Sequence, residues 1–458
     1  MAQGLELRHA DDLDAVAAQL AEQYDRAGRD ARAVDYYRRA AGVAASRFGY
    51  AEAIRLHRRA LSVIERLPAG PGRDARELAV LEALAAPLNA RHGYSSAELQ
   101  QTLERSVALA ESLGRTDAMV TGMVALWTTQ YVQGRLTDSY RLAVRALELV
   151  TPGSELAGPA HFVVGGSAVG LGKPAEGLRH FELAAKLADP PVVLSIGTRS
   201  DVHSTAYAAH AHWLLGHEPE ALAASRAAVA LARAGGGPYN LAMALAYAGV
   251  THQMRDNLSG LREAVGELRD LCDRYDFAYY REWGPILDGW SRPDGGGIDL
   301  ARRGIATLKA QNSFARMPYW LSLLAGLLAR NGQPVAARAS LDAALSVGRA
   351  HDDVWWLPEV MRMRAAYDEE PDARRRLRSA ARLAAGHGSI ALLRRCEDEL
   401  GRRGANGART ERSLSSVPVP ASTVLAITHR GARHDRISHR NRLRGAGRRH
   451  PRRPDPAG

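Results

Sequence analysis

The stretch TAYAAHAHWLLG, residues 205–216, followed by HEPEALAASRAAVALARAGGGP, residues 217–238, decides the fold. Its first part reads as a helix that stops at Gly216, because glycine supplies the left-handed C-cap without a Cβ penalty. Pro219 then sits near the start of a second helix, where a missing N–H costs little. Small residues at Ala209, Ala221 and Ala228 let the two helices approach closely. The segment is a helix-turn-helix hairpin.

The same grammar recurs as Gly28 with Ala33, Tyr37 and Ala40, as Gly172 with Gly177, Phe181 and Ala184, and as Gly332 with Ala337, Leu341 and Ala344. Helix stops at Gly134, Gly172, Gly216, Arg255 and Gly332 are 38, 44, 39 and 77 residues apart. The last interval is about twice the others and predicts a further turn at Asp294-Gly295. A period near 40 residues means stacked units that bury their apolar faces only against neighbours. The expectation is an all-α, right-handed superhelical solenoid of roughly ten hairpins. It covers residues 11–404, after a lead-in at 1–10 and before a disordered Arg-rich tail at 405–458.

Apolar content of 46% and charge of 24% suit a folded globular chain. The net charge of +11 is concentrated at one end. Residues 405–458 hold 12 Arg and no Lys against Glu411, Asp435 and Asp455, which leaves 49 basic and 47 acidic side chains in residues 1–404. Nucleic-acid affinity is therefore not a property of the repeats. Cys272 and Cys396 fall in amphipathic helical patterns and form no disulfide framework or zinc spacing. The N-terminus carries charges where a signal peptide needs an apolar run, so a cytoplasmic location is expected. The longest uncharged run, AMVTGMVALWTTQYVQ at 118–133, is shorter than the roughly 20 apolar residues of a membrane span, so no membrane partner is expected.

The small, aromatic and glycine positions of these units resemble the tetratricopeptide (TPR) consensus. Three stretches narrow the resemblance: GYAEAIRLHRRALSVIERL at 49–67, GYSSAELQQTLERSVALAESLG at 93–114 and DDVWWLPEVMRMRAAY at 352–367. They resemble the C-terminal repeat region of large ATP-binding transcriptional regulators of the SARP and LuxR type, also found in class III cyclases of the same build. Glu359, Arg362 and Arg364 stand in that family's places. Such proteins carry an ATPase module before the repeats and a DNA-binding or cyclase module at one end. This chain looks like the repeat region alone, so the resemblance implies a scaffold with no catalytic residues, cofactor or metal of its own.

The nearest approach to a phosphate-binding loop is GGSAVGLGKP at 165–174. Ser167 replaces the first glycine, Pro174 replaces the hydroxyl residue, and the segment falls on the repeat's own turn. His203, His210, His212 and His217 cluster, and His203 and His210 share a helix face, but they lack further ligands at short helical spacing. Arg281, Glu282 and Asp288 could be assembled into an acid-base site, against the plainer expectation of solvated or paired charges.

In TPR-like arrays the first helix of each hairpin lines the concave surface. Positions three before each stop, and seven apart on that face, then define a groove of Tyr131, His203, His210, Trp213, His252, Arg281, Asp288, Tyr319 and Arg330. YDFAYYREW at 275–283 adds aromatic density there. Aromatic and Arg side chains are common anchors for a peptide or small ligand. The competing reading makes Trp213, Tyr279 and Trp283 inter-repeat core.

The tail, ANGARTERSLSSVPVPASTV and RGARHDRISHRNRLRGAGRRHPRRPDPAG, cannot bury enough apolar surface to order itself. Two readings of it stand: weak nucleic-acid binding through counterion release, or an unselected extension without stacking aromatics. The expected function is a protein-interaction or effector-sensing scaffold of a signal-responsive transcriptional regulator. Its partner is a protein or peptide, including an ATPase or DNA-binding module of the kind such proteins carry on the same chain, or a small effector. The alternative is a nucleic-acid-binding regulator acting through the tail.

Overall fold

The computed structural model describes residues 2–187, 191–235, 237–292 and 295–415. Short α1 (Ala2–Arg8) precedes α2 (Ala17–Arg26), α3 (Asp30–Ser46), α4 (Tyr50–Ile64), α5 (Pro71–His92) and α6 (Ala97–Ser112). Next come α7 (Thr116–Val132) with α8 (Leu136–Leu149), α9 (Ala157–Gly170) with α10 (Pro174–Lys186), and α11 (Ser200–Leu214) with α12 (Glu218–Ala234). Then follow α13 (Pro238–Met254) with α14 (Leu258–Tyr275), the single turn α15 (Ala278–Arg281), and α16 (Trp283–Ser291) with α17 (Gly296–Ala310). The array continues with α18 (Met317–Arg330), α19 (Pro334–Ala350), α20 (Leu357–Arg364), α21 (Glu370–Gly386) and α22 (Ile390–Ser415). It is a TPR-like, right-handed superhelical solenoid. Among the described residues no helix is long and apolar enough to cross a membrane.

The helix stops work by one mechanism. Gly134, Gly172, Gly216 and Gly332 have φ of +81°, +77°, +84° and +71°, in the left-handed region. That turn lets the next residue's N–H reach back to a carbonyl five residues earlier: Arg135 to Gln130, Lys173 to Ala168, His217 to His212 and Gln333 to Leu328, all at 2.8–2.9 Å. Asn257 makes the same bond to His252 at 2.9 Å. The left-handed residue there is Asp256, with φ +54°, one position after the expected Arg255. Aspartate tolerates this conformation better than most side chains, which is how the stop survives without glycine.

The further turn expected at Asp294-Gly295 has a different form. A chain reversal does separate α16 from α17, but Gly295 has φ −64° and is no left-handed stop, while Asp294 lies outside the described residues. Helix α22 continues past Gly404 to Ser415. Residues 416–458 lie outside the described residues.

The solenoid is closed along part of its length. The Val132 carbonyl at the end of α7 accepts from the Phe314 and Ala315 N–H groups at 2.8 and 3.0 Å. One hairpin on, the Gly170 carbonyl at the end of α9 accepts from Val354 and Trp355 at 3.1 and 3.3 Å. These are carbonyls that a helix end leaves without an intrahelical partner. The loops before α18 and α20 supply the donors from the far side of the superhelix axis. Ser95 adds an Oγ–Oγ bond to Ser313 at 2.7 Å, and Thr137 donates to Asp352 at 2.7 Å. In consequence α9 is buried on all sides from Gly158 to Gly170 except at His161, as its all-round apolar sequence requires.

Glycines also set helix spacing, and α16 and α17 are the sharpest case. A Cβ on Gly289 would lie 2.5 Å from the Gly297 carbonyl oxygen. Gly289→Ala should therefore cost about 1–3 kcal/mol through backbone displacement. Gly266, exposed within α14 with open space around it, should gain about 0.5–1 kcal/mol as Gly266→Ala. Urea unfolding of both variants measures the opposed signs.

Candidate binding cleft

Toward the C-terminal end α22 lies against the ends of α11 and α13, where Ser389 donates to the Leu214 carbonyl at 3.4 Å, and hollows remain beside it. Two adjoining hollows of about 310 and 260 Å³ share Asp256, Arg395 and Asp398. Their walls come from the ends of α11 and α13 and from α18, α20 and α22. The floor is an ion cluster around Glu359, which is 5% exposed. Arg362 donates to both its carboxylate oxygens at 2.9 Å, and Arg395 Nη1 donates at 3.1 Å. Burial alone would raise the Glu359 carboxyl, but these two arginines outweigh it and hold it below its ordinary range. Arg395 Nη2 also donates to the Met254 carbonyl at 2.9 Å, and its guanidinium lies 4.9 Å above the Trp213 ring. Glu359 thus ties α20 to α22 through Arg395, while Arg364 pairs with Asp342 and Asp368 at 2.6 Å.

The rim differs in character from the floor. Arg330 stands 5.8 Å from the Trp290 ring centroid and donates to its carbonyl at 3.0 Å, without an ion-pair partner among the described residues. Arg394, facing the smaller hollow, makes no hydrogen bond or ion pair to another described residue. The cleft therefore offers two cations without ion-pair partners among the described residues, together with the carboxylates of Glu218, Asp256 and Asp398, while the Trp213 and Trp356 rings beneath them are each only 2% exposed.

The residues expected to share one groove are divided among several places. Tyr131 and His203 sit at the closed axis, where the Arg316 side chain also lies. His210 stacks on Tyr247 at 5.1 Å, and Tyr319 donates to Gln253 at 2.7 Å, both fully buried. Trp213 and Arg330 belong to the open cleft. His252 lines an outer hollow of about 740 Å³ between α12 and α14. Arg281 caps α14 through the Cys272 carbonyl at 2.9 Å and Asp276 at 2.6 Å, and Asp288 pairs with Arg269 and Arg292 at 3.2 and 2.8 Å. A single groove of these residues does not form, because the rule assumed an open channel. Trp213, Tyr279 and Trp283 are all core, 2%, 5% and 1% exposed.

The other chemical candidates resolve into structure. Gly172 and Lys173 form the turn between α9 and α10, with Lys173 paired to Glu176 at 3.6 Å. Among the described residues no group of three or more His, Cys, Asp or Glu is placed to hold a metal ion. Cys272 and Cys396 are buried free thiols, each pushed up to about 12 by burial, which suppresses the reactive thiolate. Sequence spacing missed Arg316, Glu359 as a buried hub, and Arg395. Asn312-Ser313-Phe314 and Asp352-Asp353-Val354 stand one period apart, and that spacing is the only sequence sign of the loops that close the axis.

No protein-family model and no curated protein matches the sequence. Among solved structures, the Rap conjugation gene regulator of plasmid pLS20 in complex with the Phr* peptide is similar. It shares 13% identity over 74% of this chain and 95% of that one, with a TM-score of 0.52. A Rap protein complexed with Competence and Sporulation Factor shares 12% identity over 82% and 98%, at 0.49. Cut9-Hcn1 of the APC/C shares 14% over 84% and 75%, at 0.40. The likeness is one of fold.

Burial holds the His203 imidazole down to about 3 and keeps His210 low as well, so both are neutral in the folded chain. Unfolded histidine takes up its proton near 6.5, so their contribution is intact above that pH and is lost as the pH falls. Relative to the native chain, His203→Phe should gain about 1.4 kcal/mol of stability for each pH unit between 6.5 and 5. Urea unfolding of both proteins over that range measures it.

Proposed function

We propose that the chain is a protein-interaction or effector-sensing scaffold of a signal-responsive transcriptional regulator, of the SARP and LuxR ATP-binding type that its sequence resembles. Its C-terminal cleft receives an extended segment of a protein partner. The observation that carries this is the pair of adjoining hollows beside α22, where Arg330 and Arg394 stand without ion-pair partners among the described residues.

The chemistry of the segment follows from the rim. Arg394 and Arg330 lack carboxylate partners among the described residues, so an acidic side chain or a C-terminal carboxylate fits beside them. An apolar side chain next to it fits against the half-buried Trp290 and Met363, with little reorganisation because Glu359 already fixes Arg362 and Arg395. The pLS20 regulator, whose fold this chain shares, is in complex with a peptide, which supports a peptide-sized occupant. An ATPase or DNA-binding module, as found beside such repeats in the family, is one source of that segment.

Panning a displayed library of random peptides on the full chain tests the reading. The expected binders combine acidic and apolar residues, and their affinity falls at least about tenfold in Arg394→Ala and in Arg330→Ala. Arg281→Ala, remote from the cleft, leaves it unchanged. Equal affinity in all four proteins contradicts the reading.

A further inference from the structure

The closed axis holds a second feature that the cleft does not use. Residue 316 opens α18 in the left-handed conformation, with φ +63°, a strained state for arginine. The strain turns its side chain into the interior, where Arg316 is only 3% exposed. Its guanidinium lies over four rings, Tyr247 at 5.1 Å, Tyr207 at 5.2 Å, Trp355 at 5.3 Å and Trp283 at 5.6 Å. Ring faces attract a cation, but they do not accept five N–H donors.

No carboxylate completes the pairing. The guanidinium makes no hydrogen bond or ion pair to another described residue. Asp353, itself 1% exposed, accepts from the Arg316 backbone N–H at 2.8 Å. It is spent on the main chain rather than the side chain, and burial pushes its carboxyl up to about 7, so its countercharge is partial. An isolated buried charge is costly unless something compensates it.

Beside the guanidinium is a chamber of about 20 Å³. Tyr94, Tyr131, Tyr207, Tyr247 and Tyr279 wall it, each 5% exposed or less. Burial works against the Arg316 charge, and the faces of the four surrounding rings favour it. His203 also lines the chamber, and its buried Nδ1 has no protein partner. The space exceeds the roughly 10–15 Å³ that one water needs, and it is far too small for a nucleotide or peptide. A cation without an ion-pair partner among the described residues, several hydroxyl donors and room for one small particle define the occupant.

We propose that this chamber binds a single small inorganic anion of chloride size, held by the Arg316 guanidinium and the hydroxyls of Tyr131, Tyr207 and Tyr247. The site lies in the loop whose Phe314 and Ala315 amides close the axis onto Val132, so the anion fastens the two walls of the solenoid together. It is independent of the peptide cleft, since none of these residues lines the open hollows.

The test uses the full chain exchanged into gluconate and titrated with chloride or bromide at constant ionic strength. The expected result is a saturable rise in melting temperature with either halide. Crystals grown in bromide should show an anomalous peak in contact with the Arg316 guanidinium. Arg316→Met should abolish both, and if that variant does not fold, Tyr207→Phe keeps the ring and should weaken halide binding about tenfold through one lost hydrogen bond to the anion. A water alone in the chamber, no bromide peak there, or the same halide response in the Tyr207→Phe protein overturns the proposal.

Discussion

Two carbonyls, Val132 at the end of α7 and Gly170 at the end of α9, each accept two consecutive loop amides from about half the array away. Everything particular to this solenoid depends on that contact. A helix end normally leaves such carbonyls to water, and an open repeat array keeps a continuous wet groove along its axis. Here the late loops take the place of water, and the first helices on both walls become interior. That is why α9 is apolar on nearly every face. It is also why Tyr207, Tyr247, Trp283 and Trp355 crowd around one arginine instead of presenting a binding surface.

Closure divides the concave side into two environments with different chemistry. At the axis, aromatic faces and phenolic oxygens surround Arg316 with little room to spare. Toward α22, Glu359 binds Arg362 and Arg395 into a rigid floor, and Arg394 and Arg330 remain available above it. A buried ion cluster is weak support for stability, because desolvation offsets much of the attraction. Its clear effect is positional: it fixes the guanidinium of Arg395 over Trp213 and so shapes the cleft.

The repeat was legible from local chemistry alone. Glycine at 134, 172, 216 and 332 announces a left-handed stop, and the bonds that follow are within six residues of it. Asp256 was missed by one position because its stop lacks glycine, and the turn before α17 because Gly295 is not left-handed. The direction of the first helices was also readable, since Tyr131, His203, His210, Trp213 and Tyr319 all point inward. What they point at was not readable. Whether a solenoid closes depends on loops far away in sequence, and Phe314 and Val354 carry no local sign of their partners. Short α15 and α16 break the seven-residue register as well, which explains why Arg281 and Asp288 make caps and rim pairs.

Amide hydrogen exchange at Phe314, Ala315, Val354 and Trp355 tests closure most directly. If the loops close the axis, these four amides exchange as slowly as the interior of α9, through opening of the whole array. Exchange at the rate of exposed loops, while α7 and α9 stay protected, would mean that the solenoid is open and its axis is a groove after all.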